Sequence, residues 1–196
     1  MKALFQRCSK ITLALASLML ISNYVSALEF KQVQAKESSV TFGYKQMGVP
    51  SEGIFNKFLT ELSFDPAKIA NAKAHIEIYV DSIDTGSKDA NEEVVGKLWF
   101  NAKTYPVASF VSTGIKALGG NRYQATGKLS IKGKTLDVTT PVTFQVENTR
   151  GTFEGAFSIK RLDYAIGEGE WTDVATVADE IQIKFHIVVN APPAKK

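Results

Sequence analysis

From Arg122 to Val146 the chain alternates apolar and polar residues along two long segments that face each other across a tight turn. In the first, Tyr123, Ala125, Gly127, Leu129 and Ile131 share one parity, and Arg122, Gln124, Thr126, Lys128, Ser130 and Lys132 the other. In the second, Leu136, Val138, Val142, Phe144 and Val146 oppose Asp137, Thr139, Thr143, Gln145 and Glu147. A helix cannot segregate residues with a period of two, so both segments are strands with one buried face. Lys132-Gly133-Lys134 makes the turn, where Gly133 accepts a positive φ. At about 3.3 Å per residue, arms of about ten residues or more span on the order of 35 Å. Strands of that length with one continuous apolar face must stack on a second sheet or close on themselves.

The same pattern recurs along most of the chain. Val40, Phe42 and Tyr44 alternate with Ser39, Thr41 and Gly43 in a strand that ends at Gly48 and Pro50. Ile54, Phe55, Phe58, Leu62 and Phe64 continue as a bent strand pair towards the Asp65-Pro66 turn. Ala72, Ala74, Ile76, Ile78 and Val80 oppose Lys73, His75, Glu77, Tyr79 and Asp81, and Ala108 to Ile115 forms a further strand. Phe153, Gly155, Phe157 and Ile159 oppose Thr152, Glu154, Ser158 and Lys160; Ile181, Ile183, Phe185, Ile187 and Val189 oppose Gln182, Lys184, His186 and Asn190. The period changes once. Ser87 as N-cap, Asp89, Glu92 and Glu93 near the positive helix start, and Val94, Val95 and Leu98 on one side predict a single short α-helix. The expected fold is all-β: about eight long strands in hairpin order, a number at which an antiparallel barrel closes around side chains or one small ligand. A β-sandwich is the alternative.

The N-terminus reads as an export signal. Lys2, Arg7 and Lys10 precede the apolar run Ile11 to Ile21, and Val25-Ser26-Ala27 supplies the small residues of a cleavage site, so residues 1–27 are expected to be removed. That run is shorter than the roughly 20 residues a bilayer-spanning helix needs. Residues 28–190 then form the barrel domain, and 191–196 a disordered tail. Three of the 23 basic residues and none of the 20 acidic ones lie in 1–27, so the remainder is formally neutral. The net charge therefore gives no argument for nucleic acid as a partner. The only cysteine, Cys8, leaves with the signal, so the expected exported domain stands on one core without disulfides.

Residues capable of chemistry are few. His75 and His186 are the only histidines, both on the polar parity of their strands, and no metal site is assigned. Glu168, Glu170 and Asp173 form a loop cluster expected to face water rather than act as a carboxylate pair. Gly167-Glu168-Gly169 lacks the strand-to-helix setting of a phosphate loop. No catalytic residue is assigned and the chain is not read as an enzyme. Aromatic and branched side chains instead align on the inward parity, where they either fill the core or line a tube. Ala72, Ala74, Ala125, Gly127 and Gly155 on the same parity are expected to leave room. Phe42, Tyr44, Phe55, Ile78, Tyr123, Leu129, Phe144, Phe153, Phe157 and Phe185 would line that tube, with Trp99, Phe100 and Trp171 guarding its mouth. Each buried CH₂ contributes about 0.8 kcal/mol, which suits an acyl or prenyl chain.

Five ordered landmarks resemble the YceI-like family. They are Ser82-Ile83-Asp84-Thr85-Gly86; Trp99-Phe100 before Tyr105-Pro106; Phe110 followed by Ser112-Thr113; Thr126-Gly127-x-Leu129-Ser130-Ile131-x-Gly133-x-Thr135; and Ile159-x-Arg161-x-Asp163-Tyr164-x-Ile166-Gly167. The resemblance spans Leu28 to Val189. It implies an extended antiparallel eight-stranded lipocalin-like β-barrel, exported to the periplasm, that holds a polyisoprenoid, isoprenoid quinone or fatty amide without a covalent cofactor. It also implies a branch of the family associated with membrane b-type cytochromes. The chain departs from many members after Gly86, where Ser87-Lys88-Asp89-Ala90-Asn91 stands in place of an Arg-Asp and a following His. Arg161 matches the family's late arginine, and an ion pair with Asp163 or Asp84 is its expected setting. The resulting expectation is a periplasmic carrier for a long apolar amphiphile. The rivals are capture of hydrophobic toxins or antibiotics, and a filled-barrel stress or interaction protein docking on a membrane partner. An enzyme acting on a prenyl lipid through Asp84, Arg161 or Asp173 comes third. A homodimer through a barrel face is left open.

Overall fold

The computed structural model describes residues 29–191; the expected signal peptide and Pro192 to Lys196 of the expected tail lie outside them. The described chain forms eleven strands: β1 (Gln32–Val33), β2 (Ser39–Gln46), β3 (Val49–Phe55), β4 (Phe58–Ser63), β5 (Lys73–Tyr79), β6 (Ile83–Asp84), β7 (Val107–Gly119), β8 (Arg122–Ile131), β9 (Lys134–Glu147), β10 (Arg150–Lys160) and β11 (Glu180–Asn190). One α-helix, α1 (Lys88–Val94), follows β6, and the Ser87 side chain accepts its Ala90 N–H as the sequence predicts.

The strands form one antiparallel sheet in the order β4-β5-β7-β8-β9-β10-β11-β2-β3-β6, with β1 added beside β11. β3 and β4 are separated only by Asn56 and Lys57. The two halves of this bent strand serve opposite sides of the sheet, β3 pairing with β2 and β4 with β5, so the sheet curls round on itself. Ser82 braces the bend: its carbonyl accepts from Asn56 N at 3.0 Å and its hydroxyl from Lys57 N at 3.0 Å. Counting β3–β4 once and setting aside the two-residue β1 and β6 recovers the eight long strands expected. The larger total arises because the Asn56-Lys57 bend divides one strand and two short pairings are added.

Along β8 the expected parity holds, with Tyr123, Ala125, Gly127, Leu129 and Ile131 all buried. Its hairpin with β9 closes through Lys132 (φ 49°) and Gly133 (φ 76°), positive at both central residues as the twist of a two-residue turn requires. The β2–β3 turn repeats this at Met47 (φ 49°) and Gly48 (φ 80°), which places Pro50 inside β3 opposite Lys45 rather than in the turn. Ala191, expected in the tail, is part of the packed structure: it is buried and donates its N–H to the Thr149 carbonyl at 2.8 Å.

One end of the barrel is packed with aromatic rings. Phe144 stacks on Phe153 with centroids 4.3 Å apart, and Phe64 meets Phe144, Phe153 and Tyr123 edge-on at 4.7, 4.9 and 5.2 Å. Phe30 adds a fifth ring against Phe144 at 5.0 Å. From Phe153 to Lys160, where β10 ends, seven residues at about 3.3 Å carry the barrel wall roughly 23 Å along the strand from this floor, and Arg161 follows.

Candidate ligand-binding site

The inward side chains do not fill the barrel. A cavity of about 550 Å³ occupies the half nearer Arg161, and a second of about 130 Å³ lies between it and the aromatic floor. Val40, Ile78, Ala108, Leu129, Phe157 and Ile183 line both, so these are adjoining chambers of one tube with a waist between them. The lining is apolar except near the far end of the larger chamber. There Gln46, Ser87, Asp89 and Glu93 line it while remaining exposed, which marks the mouth.

Of the ten residues expected to line a tube, nine face a chamber, and so do the three expected at its mouth. Phe42, Tyr44, Phe55, Trp99, Phe100 and Trp171 face the larger chamber; Tyr123, Phe153 and Phe185 face the smaller; Ile78, Leu129 and Phe157 face both. Phe144 lines neither. Its alternation on β9 is correct, but Phe30, Phe64 and Phe153 surround it, and it belongs to the floor.

The glycines correct a second expectation. They leave no room for a ligand, because phenyl rings from neighbouring strands already lie across them: Phe42 over Gly53, Phe110 over Gly127, Phe144 over Gly151 and Phe185 over Gly155. Phe42–Gly53 and Phe185–Gly155 are direct cross-strand partners, so a missing side chain on one strand accommodates a large one on the next. The open volume comes instead from alanines, with Ala108 at the waist and Ala74 and Ala125 around the smaller chamber.

Arg161 is 1% exposed and makes no ion pair with Asp163 or Asp84. Its five N–H groups all donate to backbone carbonyls: Nε to Ala178 at 3.2 Å, Nη1 to Ile166 at 2.9 Å and Gly167 at 3.3 Å, and Nη2 to Trp171 and Val177 at 2.7 Å each. A guanidinium has no further donors. Burial lowers its pKa from the ordinary arginine value, and the charge of Asp179 partly offsets that. The carbon of its head lies 5.5 Å from the Trp99 ring centroid, and Trp99 packs on Trp171 at 5.3 Å. Arg161 thus folds the loop from Leu162 to Val177 into a wall of the larger chamber and presses both indoles into place.

The Asp84-Thr85-Gly86 run sets the opposite lip. Asp84 Oδ1 accepts from Gly86 N at 2.9 Å and from Asn91 Nδ2 at 3.2 Å, which hold its pKa below the usual carboxylate range, the backbone bond contributing most. Asn91 Oδ1 in turn accepts from the Thr85 N–H and hydroxyl at 2.7 Å each. This network fixes α1 over the mouth with Ala90 and Val94 against the cavity. A second latch joins the β8–β9 turn to the loop: Lys132 Nζ donates to the Ala165 carbonyl at 2.6 Å and to Glu168 at 2.8 Å.

Sequence reasoning missed Phe30, Phe64, Ala108 and the inner face of α1. Phe64 carried a usable signal, since it shares the parity of Leu62 before the Asp65-Pro66 turn. Asp89 and Glu93, four residues apart on a helix, must share one face. Phe30, held by a single bridge to Phe64, carried none. Among the described residues no group of three or more His, Cys, Asp or Glu side chains could hold a metal ion.

A curled antiparallel sheet enclosing an apolar tube, floored by rings at one end and lipped by a short helix at the other, defines a lipocalin-like barrel. The YceI-like domain model matches residues 32–189, and the chain belongs to the YceI-like family. Among solved structures, Burkholderia cenocepacia BcnA is 51% identical with a TM-score of 0.78, over 80% of this chain and 99% of that one. A polyisoprenoid-binding domain from Saccharophagus degradans, implicated in plant cell wall breakdown, shares the fold at 20% identity and a TM-score of 0.64, over 85% of this chain and 99% of its own. A UPF0312 protein of Yersinia pestis (strain Pestoides F) is 28% identical over 183 residues, 87% of this chain and 91% of that protein.

Proposed function

We propose that this protein is a periplasmic carrier, or sequestering protein, for a single long amphiphile whose apolar chain lies in the barrel, such as a polyisoprenoid, an isoprenoid quinone or a fatty amide. The observation that carries the reading is the two-chambered apolar tube, closed by rings at one end and polar only at the other. That asymmetry suits a molecule with a long chain and a small head. About ten buried CH₂ groups contribute on the order of 8 kcal/mol gross, enough to offset much of the association cost and bind near micromolar. Export rests on the Lys2 to Ala27 signal pattern. The fold relative from Saccharophagus degradans, a polyisoprenoid-binding domain, supports the ligand class by analogy of architecture. A filled barrel that docks on a membrane b-type cytochrome would leave no such space.

Native mass spectrometry with organic extraction, on protein purified from a bacterial periplasm, tests the proposal. A stoichiometric prenyl or acyl lipid adduct is expected. Protein that carries no adduct and takes up no added isoprenoid or fatty amide would overturn it.

A further inference from the structure

Three charged side chains line the larger chamber: Asp89, Glu93 and Arg161. Arg161 cannot recognise a ligand anion, because all five of its N–H groups are held by the carbonyls of Ala178, Ile166, Gly167, Trp171 and Val177. Asp89 and Glu93 are exposed at the mouth, one turn apart on α1, whose orientation the Asp84–Asn91 network fixes. The remaining polar lining groups are neutral: Gln46, Thr85, Ser87, the Tyr44 hydroxyl, and the indole N–H groups of Trp99 and Trp171, which have no partner among the described residues. Among the described residues no lysine lines the chamber: Lys132 is buried against Ala165 and Glu168, and Lys88 lies at the surface 3.8 Å from Glu92.

We infer that the mouth selects against anionic heads, so that the tube takes long chains ending in an uncharged hydrogen-bonding group and rejects the same chains ending in phosphate or carboxylate. Asp89 and Glu93 are the specificity-determining residues. A chain seated against the aromatic floor brings its head to the mouth, where two lining carboxylates meet it and the lining cation, Arg161, has no free donor. Like charges brought together at a binding site are a recognised means of excluding a wrong ligand. Solvent exposure moderates the effect and salt screens it within a Debye length of about 8–10 Å. The inference rests on the carrier reading and narrows its ligand class.

Trp99 and Trp171 are the only tryptophans, and both rings line the larger chamber, so intrinsic fluorescence reports occupancy. Geranylgeraniol and geranylgeranyl phosphate, identical in chain, are titrated into the purified protein at low ionic strength. The alcohol is expected to bind about tenfold more tightly or better, in line with like-charge exclusion at a partly solvated site. In the double variant Asp89→Asn/Glu93→Gln the ratio should fall to about two- to threefold, as should the wild-type ratio in high salt. Equal or tighter binding of the phosphate, or a ratio unchanged in the double variant, would overturn the head-group inference while leaving the carrier reading intact. Failure of both ligands to bind the wild type would overturn both.

Discussion

The ring of Phe110 lies across Gly127: a Cβ added there would stand 2.5 Å from Cε2 and Cζ of the ring and 2.5 Å from the Val111 carbonyl oxygen. The ring can rotate away, but the carbonyl is part of β7 and cannot. Gly127→Ala should therefore destabilise the fold by about 1–3 kcal/mol, the usual range for overpacking. For a domain of this size that lowers Tm by about 3–10 °C. Thermal unfolding followed by circular dichroism measures it, and adding Phe110→Ala should not restore the loss, because the carbonyl contact persists.

Arg161 organises the loop through hydrogen bonds rather than charge, and its substitutions should rank accordingly. Arg161→Met leaves five carbonyls without their donor in a buried setting, where each unsatisfied group costs about 1–3 kcal/mol before relaxation. The net loss should exceed about 3 kcal/mol. Arg161→Lys supplies at most three donors from one point and should be intermediate. Urea denaturation gives the ranking. A protease specific for glutamate should cut after Glu168 and Glu170 faster in the lysine variant than in the wild type, and equal rates would show that the loop is held by other contacts.

The Lys132–Glu168 latch should respond to pH in a defined direction. The hydrogen bond from Lys132, helped by its charge, lowers the Glu168 pKa in the folded state. The folded value then lies below the unfolded one, so the contribution is fully present above the unfolded pKa of about 4.3 and is lost as pH falls through the folded value. Wild type and Glu168→Gln should differ in Tm at pH 7, and the difference should shrink as pH falls through the folded value. A difference that stays constant across the whole acid range would assign the effect to packing of the side chain instead.

The strands and their inward parity were legible because alternation is local: each residue of β8 announces its face through its two neighbours. The bend at Asn56-Lys57 was legible as a break, but its role in curling the sheet was not, since it depends on Ser82 more than 20 residues away. Gly127 and Gly155 were misread for a related reason. A small residue on an inward parity signals space only if its cross-strand neighbour leaves it empty, and register is not written in one strand. Arg161 was visible as a landmark, yet its partners are main-chain carbonyls, which no sequence pattern distinguishes. At the mouth, the i, i+4 spacing of Asp89 and Glu93 was readable, but which face of α1 met the tube was decided by Asp84 and Asn91.

Ala108 provides the complementary test to Gly127. It faces Ile78 across the β5–β7 pair and lines both chambers at the waist, whereas Gly127 lines neither. Ala108→Leu places added carbons in open space, displacing about two or three CH₂ groups of a bound chain, or about 2 kcal/mol of contact. Affinity for geranylgeraniol should fall by about tenfold or more while Tm changes little or rises, because filling a void stabilises a core. Gly127→Ala should do the reverse, lowering Tm with affinity nearly unchanged at temperatures where the protein is folded. The two substitutions lie on adjacent strands of the same wall, so opposite signatures separate the lumen from the packing that surrounds it. If Ala108→Leu lost stability and binding together, the waist would be a packed part of the core and the tube would end there.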